Sequence, residues 1–158
     1  ALSSAASDVY KRQVHAASLE RPVKLMIALE MIGYYDSTPG SQDYPSPAMS
    51  WLYPDRGDFI AVVGRMQDIN AVRQVKAALL SSRDLSVYSM NAPGFIPGID
   101  FSDHLNYWQH DIPAVMITDT AFYRNKQYHL PGDIADRLNY QKMAQVVDGV
   151  TTLLYNSK

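Results

Sequence analysis

The hydrophobic pattern of the chain contains three long apolar runs, at residues 23–32, 58–64 and 112–118. Nearly continuous apolar segments of this length are typical of strands in a parallel sheet that helices cover. We predict a strand at each run, the first of them buried on both faces, and a weaker strand at 85–90. Pro22 before the first run and Gly33 after it favour a strand over the alternative of a buried helix.

Apolar residues recur at helical spacing in two further segments. The first follows Asp68 and continues to about Ser81, and the second follows Asn139 near the end of the chain. Asp and Asn are favoured N-cap residues, so both segments are predicted to be helices. One stripe of the last helix is expected to face the core: Tyr140, Met143, Val147, Val150 and Leu154.

A short helix is also predicted, with Ser102 as its cap and with Leu105 and Trp108 as its buried face. His104 and His110 are expected on the polar side of this helix rather than as metal ligands.

Strands and helices alternate along most of the chain, which favours an α/β fold with helices packed on a layered sheet. With 158 residues, the chain has the size of one ordinary domain or of part of a larger one. Residues 1–15 do not share the pattern and are predicted to be a non-native or disordered leader, since they look like translated adapter sequence. The biological sequence would then begin near Val14 and be cut from a longer protein.

Composition and charge exclude several classes of function. The formal net charge is −2 and basic residues are scattered, so neither nucleic acid nor a membrane surface is expected as a partner. The longest apolar run is too short to span a bilayer. The chain has no cysteine, which excludes disulfides and thiolate chemistry and leaves His and carboxylates as metal ligands.

Acidic residues stand at the carboxyl ends of two predicted strands. Glu30 lies near the end of the first strand, and Asp119 directly follows the strand at 112–118. Ligands gather at the carboxyl ends of strands in open α/β sheets, so both residues are candidates for a site. A side chain that turns into solvent is the alternative for Glu30. The long aromatic loop at 34–57 is expected to be structured and to line a substrate cleft, with a packing role alone as the alternative for each of its residues.

The segment 127–133 sets His129 between Tyr128 and Asp133, in a stretch whose proline and glycine disfavour regular structure. A loop histidine can bind a metal through one ring nitrogen while a carboxylate orients the other, and a surface loop without function is the alternative. A zinc site made of His and carboxylates is suited by the set of residues expected at the ligand edge of the sheet: Glu30, Asp103, Asp119, His129 and Asp133. The common signatures of serine hydrolases, NTPases and dinucleotide-binding proteins are absent from the sequence.

Five segments of the chain, in this order and at these intervals, resemble one family of enzymes: LEMIGYY (29–35), YPDRGDFIAVVG (53–64), SDHLNYW (102–108), IPAVMITDTAFYRN (112–125) and YHLPGD (128–133). The family is that of the co-catalytic zinc exopeptidases, which contains bacterial aminopeptidases and glutamate carboxypeptidase, with glutaminyl cyclase as a relative. The resemblance covers about 23–155. It implies a three-layer α/β/α sandwich around a mixed, mainly parallel sheet, with 16–158 as the C-terminal part of a single catalytic domain.

The resemblance also implies an activity and residue roles. Two zinc ions and a bridging water would hydrolyse N-terminal residues from peptides, with Glu30 on one ion and His129 on the other. Tyr128 would hydrogen-bond the developing oxyanion. Asp103 and Asp133 would orient ligands, although Asp103 is equally explained by position as a partner of a helix dipole. The family commonly has Asp at the position of Glu30.

Part of the family's metal site has no counterpart in this chain. The family's first zinc histidine, its bridging aspartate and its adjacent Glu-Glu pair precede the LEMIG strand, and nothing upstream of that strand matches them. The chain by itself is therefore expected to be inactive.

Two other functions stay open from the sequence. One is a glutaminyl-cyclase-like acyltransferase, although LEMIGYY matches the peptidases better. The other is a receptor-type or binding domain that kept the fold and lost the metals, against which the retained Glu30, Tyr128 and His129 argue. Secretion or a periplasmic location is implied by the family alone, and the sequence does not indicate an oligomeric state.

Overall fold

The computed structural model describes residues 23–93, 96, 99 and 102–156, and within them the elements follow the predicted order. The strands are β1 (Met26–Leu29), β2 (Phe59–Arg65), β3 (Ser86–Ala92) and β4 (Ala114–Thr118). The α-helices are α1 (Ile69–Leu79), α2 (His104–Trp108) and α3 (Tyr140–Asn156). Short 3-10 turns lie at Pro47–Trp51, Met66–Asp68, Ala121–Tyr123 and Ala135–Arg137. The predicted leader at 1–15 lies outside the described residues.

The four strands form one mixed sheet in the order β1-β4-β2-β3. β1 runs parallel to β4, with Met26 opposite Ala114, and β2 runs parallel to β3. The central pair, β2 and β4, is antiparallel. Two of the three pairings are therefore parallel, and the prediction of a mixed, mainly parallel sheet is confirmed.

The sheet lies between two layers of other elements. On one face, Ile60, Val62 and Ile117 pack in a buried cluster with residues of α1 and α3. On the other face, Phe59 and Met116 pack in a second buried cluster that includes residues of α2. The three-layer α/β/α arrangement is therefore confirmed. In the described part of the chain, no helix has the length and apolar character needed to cross a membrane.

β1 is shorter and less buried than predicted. Only Ala28 in this strand is buried, and Leu29 is 47% exposed. β1 pairs only with β4 in the described structure and so forms one edge of the sheet. The prediction of burial on both faces is wrong, because an apolar run does not reveal whether its strand lies at the edge or the centre of a sheet.

α3 begins as predicted but buries a different face. The side chain of Asn139 accepts the backbone N–H of Lys142 at 3.0 Å, which is the expected capping bond. The buried residues of the helix are Val146, Gly149 and Leu153. In contrast, Tyr140, Val147 and Leu154 of the predicted stripe are 60%, 51% and 63% exposed. The predicted core stripe is therefore wrong for these three residues, whereas Val150 packs against the buried cluster as predicted.

Gly149 explains which face of α3 is buried. A Cβ atom at this position would lie 2.8 Å from the Cα of Leu79, so α1 and α3 approach each other closely only because position 149 has no side chain. Hydrophobic spacing does not detect this contact, since glycine contributes nothing to an apolar stripe.

α2 differs from the prediction in two details. His104 is fully buried, its ring stands edge-on to Trp108 with centroids 4.4 Å apart, and its Nε2 donates to the Ile99 carbonyl at 2.5 Å. The expected polar-face position is therefore wrong for His104, while His110 is exposed. Ser102 does not cap the helix, because Asp103 holds the N-cap position without a side-chain capping bond.

The close approach at Gly149 predicts a specific loss of stability. Gly149→Leu should lower the free energy of unfolding by about 1–3 kcal/mol, because the added side chain forces α1 and α3 apart. The exposed Ala144 on the same helix provides the control, and Ala144→Leu should change the free energy by less than about 0.5 kcal/mol. Urea unfolding of both variants tests this, and equal effects would contradict the packing account.

Candidate functional site

An apolar cavity of about 120 Å³ lies against one face of the sheet, beside the segments that follow β1 and β4. Its walls come mainly from apolar and aromatic residues of β2, β3 and β4 and from the loops around them. Among the lining residues of the long loop are Tyr44, Met49 and Tyr53, so this loop borders a cleft as expected. Two of the predicted site residues, Glu30 and Tyr128, line the same cavity although they are distant in sequence.

The structure places Glu30 directly after β1, at its carboxyl end. The backbone N–H of Glu30 donates to the Ile117 carbonyl at 3.0 Å, which extends the β1–β4 pairing by one residue. The half-buried carboxylate accepts a hydrogen bond of 3.0 Å from the Ser102 hydroxyl. This bond connects the end of β1 to the start of α2 and limits the orientation of the Glu30 side chain.

Tyr128 and His129 lie together in the loop that follows β4. Their rings stack at a centroid distance of 4.0 Å and an angle of 15°, and the Tyr128 ring also contacts Phe122 at 5.8 Å. Tyr128 is half-buried and His129 is exposed. The stacking holds the imidazole beside the phenol that lines the cavity.

The two predicted orienting carboxylates occupy different places. Asp103 is exposed at the start of α2, next to the Ser102 that contacts Glu30. Asp133 accepts a hydrogen bond of 2.8 Å from the buried Asn125 side chain. Among the described residues, the side-chain partner of Asp133 is therefore Asn125 and not the predicted His129. The role of both carboxylates as orienting groups stays a prediction.

Asn125 determines the shape of the loop that carries Tyr128 and His129. Its side-chain oxygen accepts the backbone N–H of Gln127 and the Arg137 guanidinium, both at 3.0 Å, while its amide donates to Asp133. Only 2% of Asn125 is exposed. One buried amide therefore joins both ends of the loop.

Asp119 is a buried carboxylate that joins the ends of β1 and β4. It accepts backbone N–H bonds from Gly33, Tyr34 and Ala121 at 3.1, 2.7 and 3.0 Å. Its own N–H donates to the Met31 carbonyl at 2.6 Å. Burial raises the pKa of Asp119 to about 6, and the N–H donors with the nearby guanidinium only partly oppose this increase.

Arg124 is a buried cation in the same loop. Its Nη1 donates to the carbonyls of Tyr34 and Phe59 at 3.0 and 2.9 Å, and its Nε donates to the Gln42 side chain at 2.9 Å. A Cβ atom at residue 57 would lie 2.5 Å from the Arg124 side chain, so Gly57 makes room for it. Arg124 thus connects the segments after β1 and β4 with the start of β2.

Left-handed backbone conformations concentrate around the candidate site. The non-glycine residues of the described chain with positive φ are Met31, Asp84, Asp111, Thr120, Ala121 and His129. Four of these six follow β1 or β4, and the φ of 74° at Thr120 is costly for a β-branched residue. Strain of this kind persists where the surrounding contacts impose it, and it is common at functional sites.

The described residues do not by themselves fit a zinc ion. Zinc sites in proteins use at least three protein ligands. Across 23–93, 96, 99 and 102–156, no three His or carboxylate side chains lie close enough together to hold a metal. Glu30 and His129 remain predicted ligands that would need partners from elsewhere.

The sequence patterns missed several residues that organise this site. Ser102 was predicted only as a cap, and neither Gln42, Arg124 nor Asn125 was singled out. Arg124 and Asn125 stand in a loop without periodicity, and the one signal for them is their place at the end of the segment IPAVMITDTAFYRN.

Comparisons with known proteins connect the chain to a longer relative. A protein of Escherichia coli strain K12 described as uncharacterized protein YfbL is 91% identical over 152 residues, which make up 96% of this chain and 47% of that protein. The chain therefore spans about half the length of this curated relative. No family model matches the chain.

Solved structures resemble the chain at low sequence identity. LapA, an aminopeptidase of Legionella pneumophila, aligns with a TM-score of 0.65 and 19% identity over 92% of this chain and 34% of LapA. LapB of the same organism aligns with a TM-score of 0.62 and 15% identity over 93% of this chain and 34% of LapB. BSAP, a zinc aminopeptidase from Bacillus subtilis, aligns with a TM-score of 0.60 and 18% identity over 94% of this chain and 32% of BSAP. The fold is shared with these proteins.

The hydrogen bonds of Arg124 predict that replacing this residue costs much more unfolding free energy than replacing the neighbouring Lys126. Arg124→Met keeps most of the side-chain volume but leaves buried acceptors unpaired, and it should cost about 3 kcal/mol of unfolding free energy. Lys126 forms an exposed ion pair with Asp43, so Lys126→Met should cost less than about 0.5 kcal/mol. Urea unfolding measures both values, and similar costs would contradict the proposed role of Arg124.

The raised pKa of Asp119 predicts a pH-dependent stability. The unfolded carboxyl has a pKa of 3.8 and the folded one about 6, so protonation stabilises the folded state fully below pH 3.8. This contribution is lost as the pH rises to about 6. Asp119→Asn removes the titration, so the unfolding free energy of the variant minus that of the unmodified chain should rise by about 2 kcal/mol from pH 4 to 7. A constant difference would show that the N–H donors balance burial, and a falling one that they outweigh it.

Proposed function

We propose that the chain is the C-terminal part of a zinc-dependent aminopeptidase that removes N-terminal residues from peptides. The observation that carries the proposal is the fold shared with LapA and BSAP, combined with Glu30 and Tyr128 on one cavity at the strand ends. Strand ends are where α/β proteins bind ligands, so the fold and the positions of these residues agree.

The cavity suits the side chain of a peptide's N-terminal residue. Its lining is mainly apolar, and Tyr44 and Tyr53 use their hydroxyls to bond the backbone carbonyls of Pro54 and Ser89 at 2.6 and 3.0 Å. Burial raises the pKa of Tyr44 to about 12, so this phenol stays a donor. With these two hydroxyls occupied and most other lining atoms apolar, the cavity offers mostly apolar surface to a ligand.

Tyr128 is the residue of this chain that we assign to the chemistry itself. Its ring lies between the cavity and His129, where a phenol hydrogen can stabilise charge that develops on a peptide carbonyl oxygen. Glu30 and His129 are proposed as one ligand of each zinc ion. The other ligands and the general base would come from the rest of the longer protein.

The division of the site between two parts of a protein leads to a direct test. This chain, purified with added zinc, should not hydrolyse leucine p-nitroanilide. A hybrid in which this sequence replaces the matched segment of the E. coli relative should hydrolyse this substrate and lose activity with a zinc chelator.

In the hybrid, Tyr128→Phe should lower kcat by about a hundredfold, since one oxyanion donor is removed.

His110 supplies the matched control for the predicted metal ligand. Both His110 and His129 are exposed, but His110 lies just after α2. In the hybrid, His129→Ala should abolish turnover and reduce bound zinc, whereas His110→Ala should change neither. A hybrid that folds but neither binds zinc nor cleaves the substrate would refute the proposed function. Turnover by this chain alone that His129→Ala abolishes would refute the division of the site.

A further inference from the structure

The 3-10 turn at Pro47–Trp51 carries the most exposed large apolar side chains of the described residues. Trp51 is 88% exposed and the adjacent Leu52 is 78% exposed. Two such neighbours on the surface are unfavourable in water, and exposed apolar groups of this kind commonly mark binding surfaces.

The turn that carries these two residues is firmly held. Pro47 opens it, and the Ser50 hydroxyl donates to the Pro47 carbonyl at 2.7 Å. After the turn, the Tyr53 hydroxyl donates to the Ser89 carbonyl of β3 at 3.0 Å, and the Tyr53 ring lies 5.9 Å from that of Tyr44. The turn is therefore fixed to the sheet, and it presents its exposed side chains without a large ordering cost.

The turn borders the apolar cavity. Met49 and Tyr53, on either side of the exposed pair, both line the cavity. The backbone N–H of Leu52 donates to the Met49 carbonyl at 3.0 Å, so the exposed pair directly adjoins this lining residue. Trp51 and Leu52 are not part of the lining itself, and together they form the outer edge, or rim, of the turn beside the cavity.

The size of the cavity limits how much of a peptide it can take. A volume of about 120 Å³ is similar to that of apolar cavities that bind one small aromatic molecule. It therefore has room for one large side chain, and the rest of the peptide must leave over the rim.

We propose that Trp51 and Leu52 bind an apolar side chain at the second or third residue of the substrate peptide, and so select peptides that are apolar downstream of the residue to be removed. This inference rests on the proposed function for the identity of the ligand as a peptide. It assigns the rim as a second specificity element, separate from the cavity.

Fluorescence of Trp51 tests the contact without any catalysis. The chain has two tryptophans, and Trp108 is 7% exposed, so the signal that disappears in Trp51→Phe belongs to the exposed indole. The probes are the tripeptides Leu-Leu-Gly, Leu-Gly-Leu and Leu-Gly-Gly at about 10 mM, which is tenfold above a millimolar Kd. At least one of the first two should shift the emission of this chain to shorter wavelength, while Leu-Gly-Gly should not.

Two variants distinguish contact with the rim from a general effect of the peptides. Leu52→Ala should weaken the shift, because it removes one of the two exposed apolar side chains. Tyr155→Ala removes an exposed aromatic residue of α3 and should leave the shift as it is. No shift with any peptide, or an equal shift with all three, overturns the inference.

The hybrid protein provides the kinetic measurement. The kcat/KM ratio of the preferred apolar tripeptide to Leu-Gly-Gly should fall about tenfold when Trp51 and Leu52 are both changed to Ala. An unchanged ratio with a lowered Tm would show that the rest of the longer protein covers the rim, and would also overturn the inference. If the hybrid cleaves no peptide, the proposed function fails, and the fluorescence result still decides whether the rim binds peptides.

Discussion

A single buried guanidinium, that of Arg124, holds together the segments around the candidate site. Its bonds reach the carbonyl of Tyr34 after β1, the carbonyl of Phe59 at the start of β2 and the side chain of Gln42 in the long aromatic loop. The cation is 3% exposed, so its desolvation must be offset by these bonds and by the aromatic ring of Phe59, 4.6 Å away. Arginine suits this position because its fork of donors can serve several acceptors at once.

Asp119 provides the complementary constraint on the opposite side of the same loop. Its carboxylate binds the backbone N–H groups after β1, while its own N–H binds the Met31 carbonyl. The segments that these bonds hold include the positive φ angles at Met31 and Thr120, a strain that persists where surrounding contacts impose it. Beside them, Glu30 and Tyr128 line one cavity.

The sequence predicted the elements of the fold well and their environments less well. Strand order along the chain, the cap at Asn139 and the position of Glu30 at a strand end followed from apolar runs and capping residues, which are local signals. Two failures concern long-range contacts. β1 lies at an edge, and α3 turns toward α1 because of Gly149, and neither fact leaves a trace in local periodicity.

In the candidate site too, local sequence signals identified residues but not the long-range contacts between them. Tyr128 and His129 were singled out because the histidine stands between a phenol and a carboxylate in an irregular loop, and the family resemblance then implied their roles. The stacking of their rings agrees with a shared place beside the cavity. The bond from Ser102 to Glu30 and the network of Arg124 were not predicted, since both join residues that are far apart in sequence. The sequence around a polar loop residue does not indicate which distant residue will be its hydrogen-bond partner.

We propose that Glu30 and His129 belong to a zinc site that the rest of the longer protein completes. Anomalous diffraction at the zinc edge from crystals of the hybrid protein tests this directly. Two zinc peaks are expected, one at about 2.0–2.2 Å from the Glu30 carboxylate and the other at about 2.0–2.1 Å from a His129 ring nitrogen. Crystals grown with zinc that show no peak at either side chain would refute the proposed zinc site.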